Sequence, residues 1–376
     1  MKILIAPDKF KGSLSARQVA EIIAQQLLRS NPALRIDRQP VADGGEGTAE
    51  LLTQASGGQL LTERVADPLF RRVEAVYGIS GDGKTAFIEM AQASGLFRLT
   101  PDERDPLMTS TFGTGELIRA ALRRGVQTIV LCIGGSATND GGIGMAAALG
   151  YRLTDAAGRA LIPVGQNLLY LHHVDASGIM PQLSDTNFVV ACDVENPLYG
   201  PEGAAYVYGP QKGADDRAVR HLDAGLRHLA DVISGMHWPN PAYEPGSGAA
   251  GGLGYGARVF LNADLQSGFS LAAAYLNLSS RIAGADLVIT GEGRLDEQTL
   301  SGKVIGGIAR LAGQHRVPVV AFCGRLQLSP EQIRALGLAG AIAITPEGMT
   351  FADAIRQAPE LLANAVETEI SRFIPG

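Results

Sequence analysis

One pattern recurs along this chain: a short apolar run, a glycine-punctuated polar loop, then residues with helical spacing. Ile3–Ala6 leads through Pro7-Asp8-Lys9-Phe10-Lys11-Gly12 into a helix expected over about Ser15–Arg29, where Val19, Ile22, Ile23 and Leu27 share a face. A strand near Ile36–Val41 leads through Asp43-Gly44-Gly45-Glu46-Gly47 into a helix over about Thr48–Ala55. Buried strands alternating with helices belong in a parallel sheet, because parallel neighbours need a long crossover and a helix supplies it.

The last third repeats the style. A strand is expected at Asp286–Thr290, then a loop over Gly291–Gly302 and a helix from Lys303 to His315. Strands at Val317–Phe322 and Ala341–Thr345 and a helix over Phe351–Phe373 follow. The middle differs. Arg71–Ile79 and Thr85–Met90 flank a Gly-Asp-Gly turn and suit a hairpin. Strands are expected at Thr128–Ile133 and Phe188–Cys192, and helices near Gly115–Arg124, Gly144–Leu149 and Arg217–Ile233. The expected architecture is α/β: a Rossmann-like doubly wound domain made from both chain ends, residues 1–64 and 284–376, interrupted by a second α/β domain over 65–283. The active site is expected in the cleft between them. A chain of 376 residues suits two domains.

Composition removes several classes. The net charge of −6 argues against a nucleic-acid or anionic-membrane partner. The apolar stretch before Pro7 is too short for a signal-peptide core, and no apolar run reaches the roughly 20 residues that span a bilayer. Cys132, Cys192 and Cys323 form an odd set without paired spacing, so neither a disulfide framework nor a zinc site is indicated. The histidines show no metal spacing either. A cytoplasmic enzyme is the expected class. Glycine is abundant at 47 residues, whereas lysine is scarce, with six among 32 basic residues.

Two strings match phosphate or dinucleotide patterns in letters only. Gly78–Thr85 fits GxxxxGK[ST], but strand-like residues flank it where a helix should follow. Gly246–Gly251 fits GxGxxG, but Asn240–Pro245 before it is no strand.

Six polar segments are better placed. Asp8, Lys9 and Lys11 follow the first strand and precede a helix, which suits an anionic ligand; a solvated turn is the other reading. Asp43-Gly44-Gly45-Glu46-Gly47 can form an anion nest, with Asp43 or Glu46 offering oxygen to Mg²⁺, or is a plain strand-to-helix turn. Ser136, Thr138, Asn139 and Asp140 crowd a glycine-flanked loop suited to ligand recognition. Asp193 follows a buried strand and, partly desolvated, can act as a general base; Asn196 lies in the same turn. Lys212 sits between helix breakers and either reaches the cleft or points to solvent. In the last segment Arg294 and Lys303 can neutralise phosphoryl charge, while Glu292 and Asp296 can serve Mg²⁺.

Taken together, Ala6–Ala16, Val41–Thr48, Ser110–Leu117, Gly134–Gly150, Cys192–Gly200, Tyr208–Ala214, Gly246–Gly256 and Ile289–Gly307 resemble the bacterial type-1 glycerate kinase family. The likeness runs from end to end. It implies ATP-dependent phosphorylation of D-glycerate with Mg²⁺, giving 2-phospho-D-glycerate, on a Rossmann-like domain interrupted by a second one. On that footing Lys9, Lys11, Arg294 and Lys303 hold phosphates or the glycerate carboxylate, and Asp193 is the base. Asp43, Glu292 and Asp296 compete for Mg²⁺. Asp8, Gly44, Gly45, Ser136, Thr138, Asn139, Asp140, Asn196 and Lys212 join the binding set. A kinase for another small hydroxy acid, a nicotinamide-dependent dehydrogenase and a cytosolic sugar-acid sensor are the competing readings. The missing dinucleotide fingerprint counts against the dehydrogenase.

Overall fold

The computed structural model describes residues 1–296 and 304–374. In chain order its strands are β1 (Lys2–Ile5), β2 (Arg35–Arg38), β3 (Gln59–Ala66), β4 (Arg72–Ile79), β5 (Thr85–Glu89), β6 (Thr128–Cys132), β7 (Arg152–Thr154), β8 (His173–Asp175), β9 (Asn187–Ala191), β10 (Asp264–Gln266), β11 (Leu287–Leu295), β12 (Val319–Leu326) and β13 (Gly340–Ala343). The fold is α/β, and the chain divides into two compact units, Met1–Asp43 with Phe269–Gly376, and Gly44–Gly268.

The first unit is built on a five-stranded sheet of order β13-β12-β11-β1-β2, with every pairing parallel. Ile3-Leu4-Ile5, Leu287-Val288-Ile289 and Val319–Phe322 are buried without polar alternation, as strands covered on both faces must be. The helix Ala16–Ser30 starts at a capping box. Gln18 N–H donates to Ser15 Oγ at 3.3 Å, and Ser15 N–H donates to Gln18 Oε1 at 2.9 Å. Its Val19, Ile23 and Leu27 join Leu362 and Val366 of the helix Ala358–Glu369 over Ile3, Ile5 and Phe322. Each such buried aliphatic side chain contributes roughly 2 kcal/mol.

Two sequence expectations change here. The expected helix Phe351–Phe373 is two helices, Phe351–Arg356 and Ala358–Glu369, because Pro359 can start a helix but cannot donate within one. The loop expected from Gly291 is strand as far as Leu295, held in register with β12 by the pairs Glu292↔Cys323 and Arg294↔Arg325.

The second unit holds a six-stranded sheet of order β10-β9-β6-β5-β4-β3, in which β10, β9, β6 and β5 run parallel and β4 and β3 antiparallel. Residues 44–64, expected with the chain ends, fall in this unit, and residues 269–283 fall in the first. The reason is β3, which pairs along its whole length with β4, from Gln59↔Ile79 to Ala66↔Arg72. The insertion begins and ends at one place: a Cβ on Gly44 would stand 3.2 Å from Gly268 Cα.

Both misleading strings are structural. Gly78–Thr85 joins antiparallel β4 and β5, and Gly78 leaves room for Thr53, whose Oγ1 would lie 1.6 Å from a Cβ there. Gly246–Gly251 follows no strand. Among the described residues, no helix is long and apolar enough to cross a membrane.

Candidate functional site

In the first unit the chain winds outward in both directions from the centre of the sheet. β1 continues to β2 on one side, while β11 continues to β12 and β13 on the other. In open α/β sheets a reversal of this kind is where ligands bind, beyond the C-terminal ends of the two neighbouring strands. Asp8 N–H donates to Gly291 O at 2.8 Å, and Thr290 Oγ–H donates to Ala6 O at 2.8 Å, so the chain just past β1 is tied to the middle of β11.

The side chains here are of two kinds. Asp8 and Glu292 are buried carboxylates, at 7 % and 8 % exposure, and Asp8 Oδ1 accepts Lys9 N–H at 2.7 Å. Lys9 is half-buried and Lys11 exposed. Arg294 is exposed and stands 3.8 Å from Asp296. Gly293 brings β11 against the Lys9–Lys11 turn, since a Cβ there would lie 3.3 Å from Lys11 N. Burial pushes the neighbouring Cys323 thiol up to about 12, with the Glu292 charge adding to it, so this cysteine is no nucleophile. Asp43 closes the first part of this unit. Lys303 lies outside the described residues.

Among the described residues, no group of three His, Cys, Asp or Glu side chains could enclose a metal ion. Mg²⁺ in phosphoryl-transfer sites takes only one or two carboxylates and completes its shell with water and phosphate oxygen. Carboxylates at a strand end, beside cations and short of a full cage, fit that requirement.

In the second unit the polar loops gather at the C-terminal ends of the parallel strands. Gly44, at φ +87, is laid on the end of β9; a Cβ would meet Ala191 Cβ at 3.0 Å. Gly134, just past β6, faces Gly45 Cα at 3.2 Å in the same sense. Two backbones therefore meet where a side chain would be tightly packed. Just past the expected anion nest, Ala49 N–H, in the first turn of the helix Thr48–Ala55, donates to Glu89 Oε1 at 2.9 Å. Glu89 is buried at the end of β5, so a protein carboxylate already answers this helix N-terminus. A lone acid closing the apolar run Ala86-Phe87-Ile88 was the sequence signal for it.

Asp193 follows β9 as expected, but it is exposed. Its Oδ1 accepts Gly268 N–H at 2.9 Å. Position and anchoring, not burial, are what this carboxylate has. Asn196 is engaged locally, donating to Glu202 O at 2.8 Å and accepting Tyr208 O–H at 2.6 Å.

The Ser136–Asp140 segment is mostly interior. Thr138, Asn139 and Asp140 have no exposed surface, and Ser136 keeps 8 %. Asp140 Oδ2 accepts Thr111 N–H at 2.7 Å, Thr111 Oγ–H at 2.8 Å and Gly144 N–H at 3.2 Å, while its Oδ1 accepts Gly142 N–H at 3.1 Å. Burial pushes its carboxyl pKa up against the pull of these donors. This geometry gives Asp140 the role of anchoring the turn. Thr111 lies in the Ser110–Leu117 string, but nothing in the sequence singles it out as the partner of Asp140.

Lys212 does not point to solvent. It is 2 % exposed, and its Nζ donates to Ser136 Oγ and to Thr138 O, both at 2.7 Å. Burial pushes its ammonium down to about 7, partly opposed by Asp140. Because Ser136 Oγ accepts from Lys212, the serine's own proton is left to be donated elsewhere.

A profile of the glycerate kinase family matches residues 3–374. A glycerate kinase of Halalkalibacterium halodurans is 46 % identical over 363 residues, covering 96 % of each chain. A glycerate 2-kinase of Escherichia coli is 44 % identical over 365 residues, covering 97 % of this chain and 96 % of its own. The crystal structure of a candidate glycerate kinase 2 from Salmonella typhimurium LT2 superposes with a TM-score of 0.86 at 44 % identity, covering 98 % of this chain and 96 % of that one.

Proposed function

The chain belongs to the glycerate kinase family, and from that premise we propose that it transfers the γ-phosphoryl group of ATP to a hydroxyl of D-glycerate. The glycerate oxygen bonds to phosphorus, the bond to the ADP oxygen breaks, and the hydroxyl proton passes to a base. The position we propose is carbon 2, in line with the name of the Escherichia coli relative. The observation that supports phosphoryl chemistry is the company that Lys9 and Lys11, past the end of β1, keep with Glu292 and Arg294 in the last residues of β11, at the place where the winding reverses. The parallel order of that sheet also supports the doubly wound reading.

The roles follow from charge and position. Lys9, Lys11 and Arg294 offset phosphoryl charge, which is most of what such a transfer asks of a protein. Glu292 and Asp296, with Asp43 as the other candidate, would hold Mg²⁺, which supplies further neutralisation of the phosphates when bound. Asp193, oriented by the Gly268 amide, receives the hydroxyl proton. Ser136 offers its hydroxyl proton to an anionic oxygen of the acid.

A coupled ADP-release assay with D-glycerate and a panel of other small hydroxy acids tests the reading. We expect glycerate-dependent release, and a ³¹P–¹H correlation that places the phosphate on carbon 2. Release that ignores glycerate removes the proposal, and a carbon 3 product removes its positional part.

A further inference from the structure

Outside these loops, one hollow in the second unit carries a concentrated charge. It has a volume of about 420 Å³ and is lined by Arg64 of β3, Arg72 of β4, and Arg119, Arg123 and Arg124 at the end of the helix Phe112–Leu122, with Glu63 and Glu116. Five guanidinium groups face two carboxylates, a local surplus of positive charge in a chain of net charge −6.

Of the two carboxylates there, Glu116 is consumed internally. Glu116 is 7 % exposed and accepts Ala66 N–H at 2.6 Å. It also pairs with Arg72 at 2.9 Å and with Arg119 at 3.1 Å. Arg124 Nε donates to the Tyr77 hydroxyl at 3.0 Å. Arg64 and Arg123 remain: both are exposed, and among the described residues neither guanidinium has an acceptor or an acidic partner. An arginine near helix C-terminal carbonyls is explained by the helix dipole. That accounts for Arg123 or Arg124, but not for Arg64 and Arg72, which two strands bring to the same hollow.

We propose that this hollow is a binding site for a small polyanion presenting phosphoryl or carboxylate oxygens, separate from the strand-end loops. Guanidinium forks match such oxygens two at a time, and a concave wall strengthens their field. The separation follows from strand order. β3 stands three strand spacings from β6, about 14 Å, with β5 and β4 between them.

The test is calorimetric titration of inorganic pyrophosphate into the full-length protein at fixed ionic strength, beside the double variant Arg64→Gln/Arg123→Gln. Both positions are exposed and lie outside the Glu116 pairs, so the fold should be kept, and thermal unfolding checks this. We expect pyrophosphate affinity to fall about tenfold or more in the variant, the loss of two charge-assisted contacts, while ATP binding in the same titration is unchanged. No pyrophosphate binding by the wild type, or equal affinity in both proteins, overturns the proposal. So does a parallel loss of ATP affinity, since the arginines would then belong to the nucleotide site.

Discussion

At the scale of single residues, the two side chains with the sharpest consequences are Lys212 and Asp193. Lys212 sits in the folded protein with its pKa pushed down to about 7, well below the usual lysine value. Below pH 7 folding then buries a charge at full cost. Between pH 7 and the unfolded pKa the unfolded chain binds more protons than the native one, so stability rises with pH. In Lys212→Met this contribution is gone. Urea unfolding across pH 7–10 should show wild type gaining on the variant by at most about 1.4 kcal/mol per pH unit; a flat difference would mean the ammonium is not depressed. Asp193→Asn tests the base. The amide oxygen can still accept the Gly268 N–H, so unfolding and glycerate KM should hold while kcat drops about 100-fold or more. Full turnover would sink the assignment.

At the scale of elements, the helix Ala249–Leu261 shows how a glycine-rich string is spent. Its first turn runs through Ala250, Gly251 and Gly252 at φ +53, +72 and +87. This left-handed entry lets Gly251 pass the Thr138–Asn139 backbone, where a Cβ would lie 1.9 Å from Thr138 O. The segment thus shapes the loop that carries Ser136. Gly251→Ala combines a forbidden contact with a strained φ and should destabilise by about 3 kcal/mol or more in chemical denaturation. Ala250→Gly relieves its own left-handed residue and should stabilise by about 1 kcal/mol. If the two substitutions matched in sign, the left-handed entry would be wrong. The same logic explains why GxGxxG letters here do not make a dinucleotide site: the glycines serve packing between two protein backbones.

At the scale of the whole molecule, two sheets of different character each carry their own core and their own cluster of polar loops. The chain leaves the first unit after Asp43 and returns at Phe269. Adjacency of Gly44 and Gly268 makes a 225-residue insertion possible without disturbing the parent sheet, because an insertion needs only closely spaced ends.

The sequence by itself determined the repeated strand-loop-helix order, most helix positions and the loops where polar residues collect. These depend on local periodicity, on caps such as Ser15 and on apolar runs such as Ile3–Ala6, all of which act over a few residues. Only the tertiary structure decided what each loop residue meets. β11 continues past Gly291 because β12 pairs with it, β3 joins the second unit because β4 does, and Lys212 lies buried against Ser136, 76 residues away in sequence. Glu89, at the end of β5, takes the amide of Ala49, 40 residues away. Such outcomes rest on partners distant in the chain, and local spacing carries no record of them.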